Sequence, residues 1–315
     1  MLSYIVRRIL IAIPVLLFVS IIAFSLVHLL PGDPARVMLG EDARPELIQA
    51  LRKELGLDQP LYQQYFSWLI RCAQGDFGRS IQNKQSVAKA LAQRLPVTIE
   101  LTLLAFVLAI VIALPIAIAG ATRPNSWVDM AGSTFASIGI AMPSFWLGIL
   151  LIFLFAVTLR LLPSSGYVPI HESLFQNLRH MALPAFTLGM WLSASVMRMV
   201  RAAMIEVLEQ DYIRTARSMG FSEKFILWSH ALKNVLVPVV TILGLQIGRL
   251  IGGAVVTETI FALPGIGRLA VNSIFTRDYP PIQAVVLVMA ISVLLTSLVV
   301  DILYSLLNPR MRHGE

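Results

Sequence analysis

The chain has 315 residues, of which 57% are hydrophobic and only 14% are charged, and its mean hydropathy is +0.76. Soluble domains carry about 25% charged residues, so this composition excludes an ordinary soluble protein and indicates a membrane protein. The net charge of +7 would suggest a nucleic-acid ligand in a soluble protein. Basic cytoplasmic loops explain the charge in a membrane protein, so we predict no nucleic-acid partner.

The sequence lacks the motifs of the common catalytic and metal sites. It contains no GxxxxGK[ST] phosphate loop, no GxSxG elbow and no HExxH pair. The single Cys72 excludes an internal disulfide, and the five histidines are scattered. We therefore predict a protein that is not an enzyme and that binds no metal and no cofactor. Its function should lie in a path through its helices and in its loops.

The first element is an apolar run from Ile9 to Leu30, preceded by Arg7 and Arg8. The run is about twice as long as a signal-peptide core, and it ends in Leu-Pro-Gly-Asp-Pro rather than in a small-residue cleavage site. Around 20 residues are enough to span the hydrocarbon core. We predict a retained first transmembrane helix in residues 1–30.

Residues 31–97 form the longest polar region. Short apolar stripes with helical spacing recur in it, for example Leu47, Leu51 and Leu55, and a turn is predicted at Gly75–Gly78. This pattern predicts a small helical insertion outside the membrane. An ordinary large loop without a ligand is the alternative.

The remainder, residues 98–315, is predicted to hold five further spans. They are Thr98–Thr122, Ala131–Leu159, Met181–Val200, Val235–Thr257 and Ile282–Leu307. Pro115, Pro143 and Pro184 lie inside spans and predict kinks, because membrane helices tolerate proline. The predicted fold is an all-α membrane protein with six transmembrane helices, so both termini lie on one side.

Basic residues in short loops predict which side that is. With a cytoplasmic N-terminus, eleven Lys and Arg residues fall inside and four in the short outer loops. The inner set is Arg7, Arg8, Arg123, Arg198, Arg201, Arg214, Arg217, Lys224, Lys233, Arg310 and Arg312, and the outer set is Arg160, Arg179, Arg268 and Arg277. We predict that both termini are cytoplasmic and that the insertion lies outside.

The stretch Asp211–Pro238 is a charge-rich segment between the fourth and fifth spans. Phe221, Phe225, Trp228 and Leu232 recur at helical spacing, which predicts an amphipathic helix. A break is predicted at Gly220, with Ser222 as the N-cap of the following helix. The segment is therefore predicted to be a helix, a tight break and a second helix.

This stretch resembles the EAA…G loop of permeases of ATP-binding-cassette (ABC) importers, through Arg214, Thr215 and Ala216 followed by Gly220. The sequence pattern DYxRTARxxG…HALxNxLxP is similar to the version of this motif in the dipeptide, oligopeptide and nickel permease subfamily. Arg-Thr stands where the generic motif has Glu-Ala, and Lys233 stands where it has proline; both departures are normal for the subfamily. The LPGDP, GLDQPLYQQY and GDFG segments of the insertion are also similar to it.

The resemblance implies a type I ABC importer permease fold in the inner membrane of a bacterium. It further implies a homologous second permease subunit, two ATP-binding subunits and an extracytoplasmic substrate-binding protein. Residues 201–234 become the cytoplasmic coupling loop, with Tyr212, Met219 and Phe221 as apolar anchors. The residues predicted to couple to the ATPase are Asp211, Tyr212, Arg214, Thr215, Ala216, Arg217, Gly220 and Phe221. A DNA-binding helix-turn-helix and a solvated loop without a partner are the alternatives.

Arg249 lies deep in the fifth predicted span, about 21 Å from its cytoplasmic end at 1.5 Å per residue. Gln246 lies one turn earlier. A charge at that depth should face a cavity or another chain rather than lipid. We predict a translocation-path role for Gln246 and Arg249, with a structural role against another helix or the second subunit as the alternative. Nearby small residues predict a helix-packing face: Gly244, Gly248, Gly252 and Gly253.

The segment after the fifth span is similar to the subfamily pattern ExxFxxPGxG…RDYPxIQ. The resemblance implies an external gate or outer loop near the docked binding protein. The residues predicted to belong to it are Glu258, Phe261, Pro264 and Gly265. A plain turn is the alternative.

Together these patterns predict one membrane subunit of a binding-protein-dependent, ATP-driven importer, forming half of the translocation path. Di- or oligopeptides are the first substrate class, with glutathione and nickel or a metal chelate as alternatives. A stand-alone channel or a secondary transporter is the alternative class. Inverted internal repeats would favour it, and we find none.

Overall fold

The computed structural model describes residues 2–29, 44–54 and 57–307. Regular secondary structure in these ranges is helical, apart from an isolated antiparallel bridge between Arg79 and Ser86. The Leu-Pro-Gly-Asp-Pro segment and the basic C-terminal residues Arg310 and Arg312 lie outside the described residues.

The helices follow the predicted order along the chain. They are α1 (Leu2–Leu29), α2 (Pro45–Glu54), α3 (Leu61–Ala73), α4 (Val87–Thr122), α5 (Trp127–Ala141), α6 (Ser144–Leu151), α7 (Leu174–Leu208), α8 (Asp211–Ser218), α9 (Glu223–Phe225), α10 (Leu232–Ile260), α11 (Ile266–Phe275) and α12 (Tyr279–Leu307). Helix α6 continues as a π-helix over Ile152–Thr158, and a second π-helical stretch, Ile226–Ala231, joins α9 to α10.

Helices α4 and α7 form the centre of the core. On α4 a stripe of alanines recurs every four residues from Ala105 to Ala121 and is buried throughout. Gly189 of α7 lies against this stripe, because a β-carbon there would stand 2.6 Å from the carbonyl oxygen of Ala105. Small residues let two helix backbones approach closely, which is the packing typical of membrane helices.

The other side of α4 exposes large apolar side chains. Ile99, Leu103, Val107 and Val111 repeat at helical spacing and are all exposed. A face of this kind is unfavourable in water, so it indicates contact with lipid or with another chain. Judged by length and composition, α4, α7 and residues 279–300 of α12 are able to cross a membrane, and the pair α5 and α6 makes a fourth if it counts as one span. The total of six spans stays a prediction.

The helix bounds differ from the predicted spans in two respects. Helix α4 begins at Val87, so the predicted boundary between residues 97 and 98 falls inside a helix. Pro115 and Pro184 lie within unbroken helices, whereas the chain bends by 108° at Pro143. The residue before proline is biased away from helical backbone, and this bias is expressed at Met142, whose ψ is 122°.

The predicted glycine face of α10 divides between two neighbours. Gly244 and Gly248 pack on α12, where added β-carbons would touch valine side chains. Gly253 instead approaches Leu188 of α7, at 3.1 Å from an added β-carbon. Gly252 faces open space, so it does not belong to either packing face within the described residues. Helix α10 is thus held between α7 and α12.

Candidate coupling surface, outer loop and central pocket

The loop between α7 and α10 has the predicted arrangement of helix, break and helix. Gly220 ends the first helix with φ of +82°, and a β-carbon there would meet nothing within 4 Å. The glycine is therefore required by the backbone conformation and not by lack of space. Ser222 caps the next helix, since its Oγ accepts a hydrogen bond from the backbone N–H of Phe225 at 3.4 Å.

One side of this loop is anchored in the protein core. Ile213 and Ala216 of α8 are buried, as are Ile226 and Ala231 of the following helix. All four belong to the same apolar cluster as the buried residues of α7. Ala216, which was predicted as a coupling residue, therefore packs inward and positions its neighbours.

The other side exposes apolar side chains to solvent. We call this set the coupling surface, and its members are Tyr212, Met219, Phe221, Phe225 and Trp228, with exposed fractions from 42% to 71%. The rings of Phe221 and Phe225 stack at 5.2 Å between centroids. The hydroxyl of Tyr212 accepts a hydrogen bond from the Asn234 amide at 2.7 Å. The surface is thus ordered by contacts among its own residues and with Asn234 of the same loop.

Polar residues tie the two halves of the loop together. The Arg217 guanidinium pairs with Glu223 across the break, with Nε and Oε1 2.8 Å apart. Arg214 and Asp211 stand 3.6 Å apart, and both side chains are exposed. The Thr215 hydroxyl donates to the backbone carbonyl of Asp211 at 3.0 Å. Arg217 therefore has an internal partner, while Arg214 and Asp211 remain open to another chain.

A salt bridge that was not predicted joins the start of α5 to α7. Nε and Nη2 of Arg201 both donate to the Asp129 carboxylate, and the backbone N–H of Asn125 donates to it at 3.0 Å. The hydrogen bond from Arg201 holds the pKa of Asp129 below its ordinary value. Both residues lie in predicted cytoplasmic segments, but only their distance in the fold identifies them as a pair.

The loop between α10 and α11, which we predicted to lie outside and call the outer loop, is organised by a buried carboxylate. Glu258 is fully buried and accepts hydrogen bonds from the Thr98 hydroxyl at 2.5 Å and from the backbone N–H of Arg268 at 2.9 Å. A β-carbon on Gly265 would stand 2.1 Å from the Glu258 carboxyl carbon. Phe261 is also buried, and Pro264 is partly buried. Glu258 therefore joins α4 and α10 to the first turn of α11.

The polar segment before α4 contacts the residues that follow α11. The carboxylate of Asp278 accepts hydrogen bonds from the Ser80 hydroxyl and, at 2.8 Å, from the backbone N–H of Ile81. The Gln82 amide donates to the carbonyl of Thr276 at 2.9 Å. The end of the predicted insertion is thus fastened to the short segment between α11 and α12, which follows the outer loop.

A pocket of about 410 Å³ lies beside the bend between α5 and α6. We call it the central pocket, and its lining includes Met142, Pro143, Ser144, Trp191, Arg249 and Gly253. The guanidinium carbon of Arg249 lies 5.5 Å from the centroid of the Trp191 ring. Gln246 does not line the pocket, and its Oε1 atom is buried without a hydrogen-bond partner among the described residues. The structure therefore separates the two predicted path residues.

Comparisons with known proteins cover almost the whole chain. Residues 105–313 match the family described as "Binding-protein-dependent transport system inner membrane component", and residues 1–102 match the N-terminal family of the same components. A putative peptide transport system permease protein of Brucella suis biovar 1 is 46% identical over 99% of this chain and 100% of that protein. The glutathione transport system permease protein GsiC of Escherichia coli K12 is 42% identical over the same shares.

Solved structures show the same fold at low identity. The MetNI methionine ABC transporter matches with a TM-score of 0.57 and 19% identity, covering 69% of this chain and 96% of the matched chain. An amino acid ABC transporter with histidines matches with a TM-score of 0.51 and 18% identity, covering 70% and 94%. The chain therefore belongs to the family of inner-membrane components of binding-protein-dependent transport systems, as a permease subunit of an ABC importer.

Proposed function

We propose that this subunit crosses the bacterial inner membrane six times with both termini in the cytoplasm and forms half of a translocation path. A homologous second permease forms the other half. The coupling loop, residues 201–234, docks on one of two ATP-binding subunits. An extracytoplasmic binding protein delivers the cargo to the opposite side.

The coupling surface carries this proposal. Aromatic residues and methionine are enriched at the centres of protein interfaces, and here five such side chains are exposed on one loop. Exposed apolar groups of this kind are unfavourable in water and become favourable when a partner covers them. Because the other side of the loop is buried in the core, the surface is fixed before the partner arrives.

The chain path explains how such contact could move the transmembrane helices. Only Glu209 and Gln210 separate α7 from α8, and α9 continues without interruption into α10. The Arg217–Glu223 pair bridges the break between the two halves. A displacement of the coupling surface is therefore carried to α7 and α10 together, as rigid-body movements of packed helices require.

The length of α10 supports positions on opposite sides of the membrane for the coupling loop and the outer loop. Helix α10 has 29 residues, which is about 44 Å at 1.5 Å per residue, and it runs from the coupling surface to Glu258. That length exceeds the hydrocarbon core of about 30 Å. If the coupling surface is cytoplasmic, the outer loop and the attached end of the insertion lie outside, where a binding protein docks.

The printed names of the relatives support a peptide-like cargo. The Brucella suis relative is named for peptide transport and the Escherichia coli relative for glutathione, which is itself a small peptide. We propose di- or oligopeptides as the substrate class, with glutathione as the second candidate. Nickel or a metal chelate remains the third.

Cysteine cross-linking tests the docking role. In a Cys72→Ser background, Met219→Cys on the coupling surface should cross-link to an ATP-binding subunit in membranes. Phe275→Cys, at an 84% exposed apolar position at the end of α11, is the matched control and should not cross-link to it. Modification of Phe275→Cys and not of Met219→Cys by an impermeant maleimide from outside checks the orientation. The reverse labelling would refute it.

Reconstitution tests the alternative class. A subunit of an importer should move no cargo in liposomes by itself, because the chain contains no phosphate loop of its own. Uptake by the purified chain alone, without ATP and without partner subunits, would show a stand-alone channel or secondary transporter.

A further inference from the structure

The central pocket lies where two helices meet a bend. Its walls come from the bend at Met142 and Pro143, from α7 through Trp191 and from α10 through Arg249 and Gly253. Membrane proteins keep non-helical backbone at membrane depth only where protein covers it or where it lines a cavity. The bend and the pocket therefore belong together.

Arg249 brings a positive charge to this pocket. Among the residues that the structure describes, no carboxylate lies within ion-pair distance of its guanidinium. A charged side chain at this depth needs a cavity, a polar partner or another chain. The pocket supplies the cavity, and no carboxylate partner for Arg249 lies within the part of the chain that the structure describes.

The ring of Trp191 supports the guanidinium at 5.5 Å. A cation at this distance from an indole ring is attracted to it. The contact involves the ring and not the N–H groups, so the guanidinium keeps its hydrogen-bond donors for a ligand. Arginine presents those donors as a planar fork that fits a carboxylate.

A second source of positive potential points to the same place. Helix α6 begins at Ser144, a lining residue of the pocket, and no side chain caps its N-terminus. The first backbone N–H groups of a helix lack partners within the helix and favour an anion. An arginine and an uncapped helix N-terminus at one pocket describe a site for negative charge.

We infer that the central pocket is a subsite for a carboxylate of the cargo, with Arg249 as the binding residue and Trp191 as the positioning residue. The inference rests on the proposed function and gives it a chemical substrate class: cargo that carries a free carboxylate. Gln246 takes no part in this subsite, since it lies outside the pocket.

The test compares cargo with and without the carboxylate. Liposomes holding the complete importer and its binding protein are given labelled L-alanyl-L-alanine, L-alanyl-L-alaninamide or glutathione. Arg249→Gln should lower uptake of carboxylate cargo about tenfold or more, as expected for one lost charged hydrogen bond, and change amide uptake less than twofold. Each variant is compared with the unmodified importer for the same cargo, so the preference of the binding protein cancels.

Several outcomes overturn the inference. Equal losses for L-alanyl-L-alanine and its amide, or no loss for either, would show that Arg249 does not bind the carboxylate. Loss of the second permease from the purified Arg249→Gln complex, or loss of ATP hydrolysis stimulated by the binding protein, would show a structural partner in the other subunit. If the binding protein does not deliver the amide at all, a charge series at Arg249 replaces that comparison. Uptake of L-alanyl-L-alanine must then be highest for Arg249→Lys, lower for Arg249→Gln and lowest for Arg249→Glu, while ATP hydrolysis stimulated by the binding protein is retained. Any other order refutes the inference.

Variants of Trp191 separate positioning from packing. Trp191→Leu should lower uptake of L-alanyl-L-alanine about two- to fivefold more than it lowers uptake of the amide. Trp191→Phe should retain most of the uptake of L-alanyl-L-alanine, because phenylalanine also offers an aromatic face to the guanidinium. An equal effect of Leu and Phe would refute the positioning role. If the unmodified importer takes up none of the three cargoes and shows no stimulated ATP hydrolysis, the proposed function fails instead.

Discussion

The two loops that flank α10 contain similar residues and use them in opposite ways. At the outer loop, Phe261 and Glu258 are buried, and the Glu258 carboxylate accepts hydrogen bonds from groups on two other helices, α4 and α11. At the coupling surface, Phe221 and Trp228 are exposed and Arg214 has only a distant, exposed partner. One loop is complete within the chain, whereas the other is ordered but uncovered. The difference supports the proposal that the coupling loop, and not the loop between α10 and α11, docks on an ATP-binding subunit.

The largest effect is expected from breaking the outer loop. Gly265→Ala places a β-carbon 2.1 Å from the Glu258 carboxyl carbon, so the carboxylate must leave its partners. Leaving buried polar groups unsatisfied should cost about 3 kcal/mol or more. We expect loss of the folded subunit or a large drop in its unfolding temperature in detergent. Gly252→Ala is the matched control, because that glycine faces open space; a similar drop there would contradict the argument.

The second effect is expected on the coupling surface, where substitutions should remove transport without lowering the stability of the subunit. Phe221→Ala combined with Trp228→Ala removes apolar area from the coupling surface without touching the buried side of the loop. Truncation of a hot-spot residue, which is commonly an aromatic residue near the centre of an interface, costs about 2 kcal/mol or more of binding. We expect uptake and co-purification of the ATP-binding subunits to fall at least about tenfold, with an unchanged unfolding temperature. Phe275→Ala is the control and should retain the ATP-binding subunits.

The third effect concerns the salt bridge between Asp129 of α5 and the partly exposed Arg201 of α7, in which only the carboxylate is buried. Because Arg201 lowers the pKa of Asp129, the pair stabilises the fold above the ordinary carboxyl pKa of about 3.9. That contribution should be lost as the pH falls through the lower pKa of the folded state. Asp129→Asn should therefore reduce the unfolding temperature at pH 7 and have less effect near pH 3. Equal effects at both pH values would contradict this account.

The smallest effect is expected at Gly220. Alanine there meets no atom, so the only cost is the positive φ, about 1–2 kcal/mol for a residue with a β-carbon. Gly220→Ala should reduce uptake several-fold, while Gly220→Asn, which tolerates this backbone better, should reduce it less. Uptake assays on equal amounts of inserted subunit measure this order. A larger loss for Asn than for Ala would show that side-chain space, and not backbone conformation, matters at this position.

The sequence predicted those features that depend on residues close in the chain. The helix, break and helix around Gly220 follow from a glycine stop and the Ser222 cap, and the structure confirms them. The bend at Pro143 was predicted as one of three proline kinks, and it is the one at which the helix is interrupted, whereas Pro115 and Pro184 lie within unbroken helices. Local rules state where a helix is weakened, whereas packing on neighbouring helices decides whether it breaks.

The chain by itself determined the class of protein and the location of its loops, because apolar run length and loop charge are properties of local sequence. Only the tertiary structure decided the direction of the side chains: that Ala216 faces the core, that Glu258 caps α11, and that Arg249 and not Gln246 meets Trp191 in a pocket. Those contacts join residues far apart in the chain. Their formation depends on the burial and close packing of whole helices, which no local pattern specifies.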